Sequence, residues 1–160
     1  MNAARLEVRI CAAVQKAVAS GAPGMARNPV VRGSWQDAWR ASRGPELKPV
    51  GVTIDVTVAP GSFERFGVNK AAFDCTVSAT FENASKLAAD TTVVPTCGAI
   101  SRMLFGWQMD GSALADDLGF DGVRPFAIVA TGGVAPTYDK TADEWSAAFR
   151  FKVSAVVTAE

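Results

Sequence analysis

Val52-Thr53-Ile54-Asp55-Val56-Thr57-Val58 and, a short way downstream, Lys70-Ala71-Ala72-Phe73-Asp74-Cys75-Thr76-Val77-Ser78-Ala79-Thr80-Phe81-Glu82 both alternate between apolar and polar residues. Side chains along a strand point to opposite faces with a period of two, so strict alternation marks a half-buried strand. In the first run Val52, Ile54, Val56 and Val58 share a face. In the second Ala71, Phe73, Cys75, Val77, Ala79 and Phe81 do so, with Asp74, Thr76, Ser78, Thr80 and Glu82 opposite. Pro60-Gly61 closes the first run. Two such strands joined by a Gly-containing loop over 60–69 make an antiparallel pair, a long hairpin over 50–82. The loop carries Phe63 and Phe66, apolar for a tip, with Arg65 between them.

The rest of the chain adds layers to this hairpin. Leu6, Ile10, Ala13, Val14, Ala17 and Val18 recur at helical spacing, with Arg5, Arg9 and Lys16 between them. That predicts an amphipathic helix over 3–19, capped near Asn2 and stopped by Gly21 and Pro23, with one face laid on a sheet. Thr96, after Pro95, opens a second helical stretch with Ile100, Met103, Leu104 and Trp107 on its apolar side. Ser112 is placed to cap a short helix from Ala113 to Leu118, closed by Gly119. A strand is expected over 126–135, and Gly132-Gly133 at its end reads as a turn or bulge. A last strand spans about 145–158, where Ala147, Phe149, Phe151, Val153, Ala155 and Val157 face one way. Alternation with a polar outer face implies an antiparallel sheet of about four strands covered on one face by helices. The fold class is therefore α+β, a two-layer sandwich in a single domain over 1–160.

Composition excludes several functions. The chain has 160 residues and no histidine, which removes His-dependent triads and His-ligated zinc. Sixteen basic and sixteen acidic side chains give no net charge, unlike a general nucleic-acid or membrane binder. The charge is unevenly distributed: residues 1–50 carry eight Lys/Arg against three Asp/Glu, and residues 51–160 eight against thirteen. A particle with a basic and an acidic face can stack or close rings with its own copies. Cys11, Cys75 and Cys97 lack CxxC spacing and read as reduced structural thiols. The N-terminal residues lack the apolar run of a signal peptide, and no stretch has the roughly 18 apolar residues of a spanning helix. A cytoplasmically made protein is expected.

Residues 20–49 hold Gly21, Pro23, Gly24, Pro29, Gly33, Gly44, Pro45 and Pro49 and are the least periodic part. Within them Arg27, Arg32, Trp35, Trp39, Arg40 and Arg43 interleave cations with aromatics. Trp and Arg anchor protein interfaces; the same residues also stack bases on single-strand binders. With no net charge, the interface is favoured. Ser34 is placed to cap a short helix bearing Trp35 and Trp39. Phe63, Arg65 and Phe66 form a second candidate contact. Asp110, Asp116, Asp117 and Asp121 are the strongest carboxylate cluster, but their spacing matches no calcium loop, so no metal is expected. No catalytic residue and no cofactor are assigned.

An N-terminal amphipathic helix, a long hairpin (50–82), a central helical stretch (96–118) and a closing strand, Phe149-Arg-Phe-Lys-Val-Ser-Ala-Val-Val157, together resemble the tail-terminator and neck proteins of tailed bacteriophages. The resemblance implies a structural role in the virion, with assembly in the host cytoplasm. It implies a ring of copies of this chain, commonly six, capping the tail tube and joining it to the head. The implied partners are the tail-tube protein, a head-completion or connector protein, and DNA passing through the lumen without sequence recognition; no membrane is involved. A tail-tube or capsid-decorating protein, and a small ligand- or metal-binding α+β domain, are the alternatives.

Overall fold

The computed structural model describes residues 3–21, 30–34, 52–66, 68–82 and 92–158. Its elements run α1 (Ala3–Gly21), β1 (Val30–Gly33), β2 (Val52–Phe66), β3 (Val68–Phe81), α2 (Val93–Met109), α3 (Gly111–Leu118), β4 (Val123–Asp139) and β5 (Glu144–Val157). The strands form one sheet in the order β1-β2-β3-β5-β4. All neighbours are antiparallel except β1, which runs parallel to β2. The α+β class and the helix-covered sheet agree with the sequence reading.

Register explains why the core forms where it does. Phe73 lies opposite Val153, Cys75 opposite Phe151 and Val77 opposite Phe149. Val56 lies opposite Val77 and Val58 opposite Cys75. The alternating residues of three adjacent strands thus fall on one face, and Phe73, Phe81, Phe151, Ile54 and Val56 there are fully buried. Burying each such side chain contributes about 1.5–3 kcal/mol. Leu6, Ile10, Val14 and Val18 of α1, Ile100 of α2, and Leu114 and Leu118 of α3 close the core from the other layer. On the opposite face Asp74, Thr57, Arg150 and Lys152 are exposed.

Four details depart from the sequence reading. The sheet has five strands among the described residues, not four. The additional strand, β1, spans only four residues between Pro29 and Ser34, too short to display a period. The 60–69 stretch is not a loop: β2 continues to Phe66 and β3 begins at Val68, with the register shifting between Pro60 and Phe63. A bulge absorbs the Pro60-Gly61 pair without ending the strand. Third, α2 begins at Val93, so Pro95 lies in its first turn. The amides of a first turn have no helical partner, and a proline there forfeits no hydrogen bond. Fourth, Asp110 rather than Ser112 caps α3. Its carboxylate accepts from the Ser112 and Ala113 amides at 2.9 and 3.3 Å, while its own amide ends α2 on the Gly106 carbonyl at 3.0 Å.

The expected turn or bulge at Gly132-Gly133 is a bulge. The register against β5 shifts on either side of it, with φ of 141° and 159° at the two glycines. A Cβ at Gly133 would strike the Ala148 carbonyl of β5.

Candidate interaction surface

Of the anticipated contact residues, Arg32 is held within the fold, three lie on the β2–β3 ladder and five fall outside the described residues. Arg27, Trp35, Trp39, Arg40 and Arg43 lie outside the described residues. Arg32 lies on β1, and its Nε donates to Asp55 of β2 at 2.5 Å, across the parallel pair. Ser34 donates its hydroxyl to Glu7 Oε2 at 2.9 Å. Glu7 is fully buried in α1, the one acidic residue of a helix whose other charges are basic. Gly33 sits against that carboxylate so closely that a Cβ would overlap it. Arg32, Gly33 and Ser34 thus tie β1 to the sheet and to α1. Phe63, Arg65 and Phe66 belong to the β2–β3 ladder, opposite Ala71, Asn69 and Val68.

The four aspartates do not converge. Asp110 caps α3. Asp117 accepts from the Trp107 indole N–H at 2.8 Å and so holds α3 to the buried tryptophan of α2. Asp116 is exposed, and Asp121 lines a groove beside α1. Among the described residues no group of three or more His, Cys, Asp or Glu side chains is placed to hold a metal.

The cysteines are buried. Cys75 donates its thiol to the Phe73 carbonyl at 3.7 Å. Burial, with the negative charge of Asp74 next to it, pushes its pKa up to about 12. Burial also raises the Cys97 thiol. The thiolate is the reactive form, so both are chemically quiet at neutral pH.

Among the described residues, further exposed chemistry lies on β4 and α2. β4 is an edge strand of 17 residues. The helices cover it only as far as Ile128; every residue from Val129 to Ala142 is exposed. Phe126, Val129, Val134 and Tyr138 bring large apolar surface along this edge, Val129 at 58% exposure. On α2, Val94, Phe105 and Met109 fall on one helical stripe and are 64%, 62% and 71% exposed. Among the described residues β4 pairs only with β5, and an edge strand beside exposed apolar side chains forms a surface suited to pairing with another chain.

Two smaller features flank these. The β4–β5 turn is held rigid by its own side chains. Asp139 accepts from the Thr141 and Ala142 amides at 2.9 and 3.3 Å. The Tyr138 hydroxyl donates to Asp143 at 2.8 Å, and its ring packs on Trp145 with centroids 5.5 Å apart. That hydrogen bond, above all, raises the tyrosine's pKa. Beside α1 lies a shallow open groove of about 460 Å³, lined by Ala4, Arg5, Val8, Arg9, Phe120 and Asp121. The Arg5 guanidinium lies over the Phe120 ring at 5.5 Å, and Arg9 donates twice to the Gly119 carbonyl at the end of α3, at 2.9 and 2.5 Å.

Sequence reasoning assigned the contact role to 20–49 and 60–69 and passed over β4. The available signal was the sparse apolar spacing of Val129, Val134 and Tyr138 around the double glycine, which does not reveal that no helix covers them. The chain matches no protein-family model and no curated protein. Among solved structures it is similar to a chain of the virion of a native gene transfer agent particle, at 14% identity and a TM-score of 0.47, over 92% of this chain and 94% of that one.

Proposed function

We propose that this protein is a structural component of a tailed, phage-like virion, a ring-forming tail terminator or neck protein that caps the tail tube and joins it to the head. The observation that carries the reading is the β4 edge: a long strand exposed from Val129 to its end, with Val129, Val134 and Tyr138 on that part and Phe126 exposed just before it. An isolated soluble domain gains nothing from such an edge and risks aggregation through it. A subunit whose neighbours cover the edge gains affinity from it. The element order, with an amphipathic helix before a long hairpin, agrees with the resemblance read from the sequence. In this role the chain acts through surfaces, with copies of itself, the tube protein and a connector as partners, and DNA crosses the lumen without base readout.

Electron microscopy of the purified protein, alone and mixed with tail tubes, tests the reading. Rings, or caps on tube ends, are the expected result. Particles that remain single and ignore the tubes overturn it.

A further inference from the structure

We infer that the β4–β5 turn of one copy docks on the exposed face of α1 of a second copy. The inference rests on the assembly reading above and names the surfaces that meet.

The argument is one of charge and shape. On α1, Arg5, Arg9, Ala12 and Lys16 recur at helical spacing on the exposed side, flanked by Val8. Glu7, the helix's one acid, is buried on the other side, so this face presents cations only. The adjoining groove adds the Phe120 ring, with the Arg5 guanidinium over it, and a single acid, Asp121. The β4–β5 turn carries the exposed Asp139 and the half-buried Asp143 and Glu144 against one cation, Lys140. Tyr138, 42% exposed and stacked on Trp145, supplies an aromatic beside those acids. An acidic turn with an aromatic shoulder complements a basic groove lined by Arg5, Arg9, Val8 and Phe120. Both are present in every copy and on different elements, so the contact is heterologous, head to tail. Such contacts propagate into rings or filaments. Opposite charge steers the approach, and rigidity of the turn lowers the entropy lost on docking.

Sedimentation velocity on the full chain at low salt, up to about millimolar concentration, tests the contact. One variant carries Arg5→Glu with Lys16→Glu; Arg9 is kept because it holds Gly119. The other carries Glu144→Lys with Asp139→Asn, since asparagine retains the side-chain oxygen that accepts the turn amides. Unchanged circular dichroism and melting temperature establish that each folds. Wild type is expected to self-associate, and each variant alone to associate at least about tenfold more weakly. An equimolar mixture forms a pair heavier than either component, because the unaltered turn of one variant meets the unaltered α1 of the other. Variants that assemble like wild type overturn the contact and leave the virion reading standing. So does a mixture that stays as light as its components. A wild type that remains monomeric overturns the contact, and microscopy with tubes then judges the virion reading separately.

Discussion

At the scale of single residues, Gly33 and Cys75 carry two distinct constraints, one steric and one electrostatic. Gly33 has no room for a methyl group, because the Glu7 carboxylate fills that space. Gly33→Ala must push the carboxylate off Ser34 or displace β1. It is expected to cost about 1–3 kcal/mol, read from the midpoint of urea unfolding. Cys75 links stability to alkaline pH. Its thiol titrates near 9.0 in the unfolded chain and near 12 in the folded one. Above pH 9 the unfolded chain releases the proton while the folded chain keeps it. The stabilisation is therefore complete below pH 9 and is lost as pH climbs toward 12. The raised Cys97 thiol acts in the same direction. Stability measured between pH 8 and 11 should fall, and Cys75→Ala should flatten much of that slope. A thiol reagent added to the native protein at pH 7 should label Cys75 only as fast as the protein unfolds.

At the scale of elements, α2 and α3 meet at one residue. Asp110 ends the first and caps the second, so Asp110→Ala removes the acceptor for two amides. A loss of about 1 kcal/mol is expected, with α3 fraying first in amide exchange. Gly106 is the opposite case. It lies inside α2 with open space where a Cβ would project. Gly106→Ala should raise stability by about 0.5–1 kcal/mol in the same assay, since alanine has the higher helix propensity and restricts the unfolded chain.

At the scale of the whole molecule, the helix layer is smaller than the sheet. It covers β2, β3 and the first third of β4 and leaves the rest of that edge in water. Val129 and Val134 are exposed and lie on this uncovered part. Val129→Lys with Val134→Lys should leave the melting temperature within about 2 °C of wild type, because exposed substitutions cost little folding energy. The same pair should abolish assembly on tubes, as seen by microscopy, because lysine on an edge opposes strand pairing. A double variant that still caps tubes would place the contact elsewhere.

The sequence alone determined the strands and helices with a long period and one dry face. Residues 71–81, 145–157 and α1 carry enough alternation or helical spacing for burial to be written into their order, because a one-residue slip would expose every core side chain. It did not determine β1, whose four residues gain their meaning only from β2 beside them and from Glu7 above them. Nor did it determine that Phe63 and Phe66 sit in a strand, since Pro-Gly signals a turn locally and only the pairing with β3 converts it to a bulge. The exposed β4 edge was likewise decided in three dimensions. Whether Val129 or Tyr138 meets solvent depends on where α2 and α3 end above the sheet, a distance between layers that no local pattern encodes.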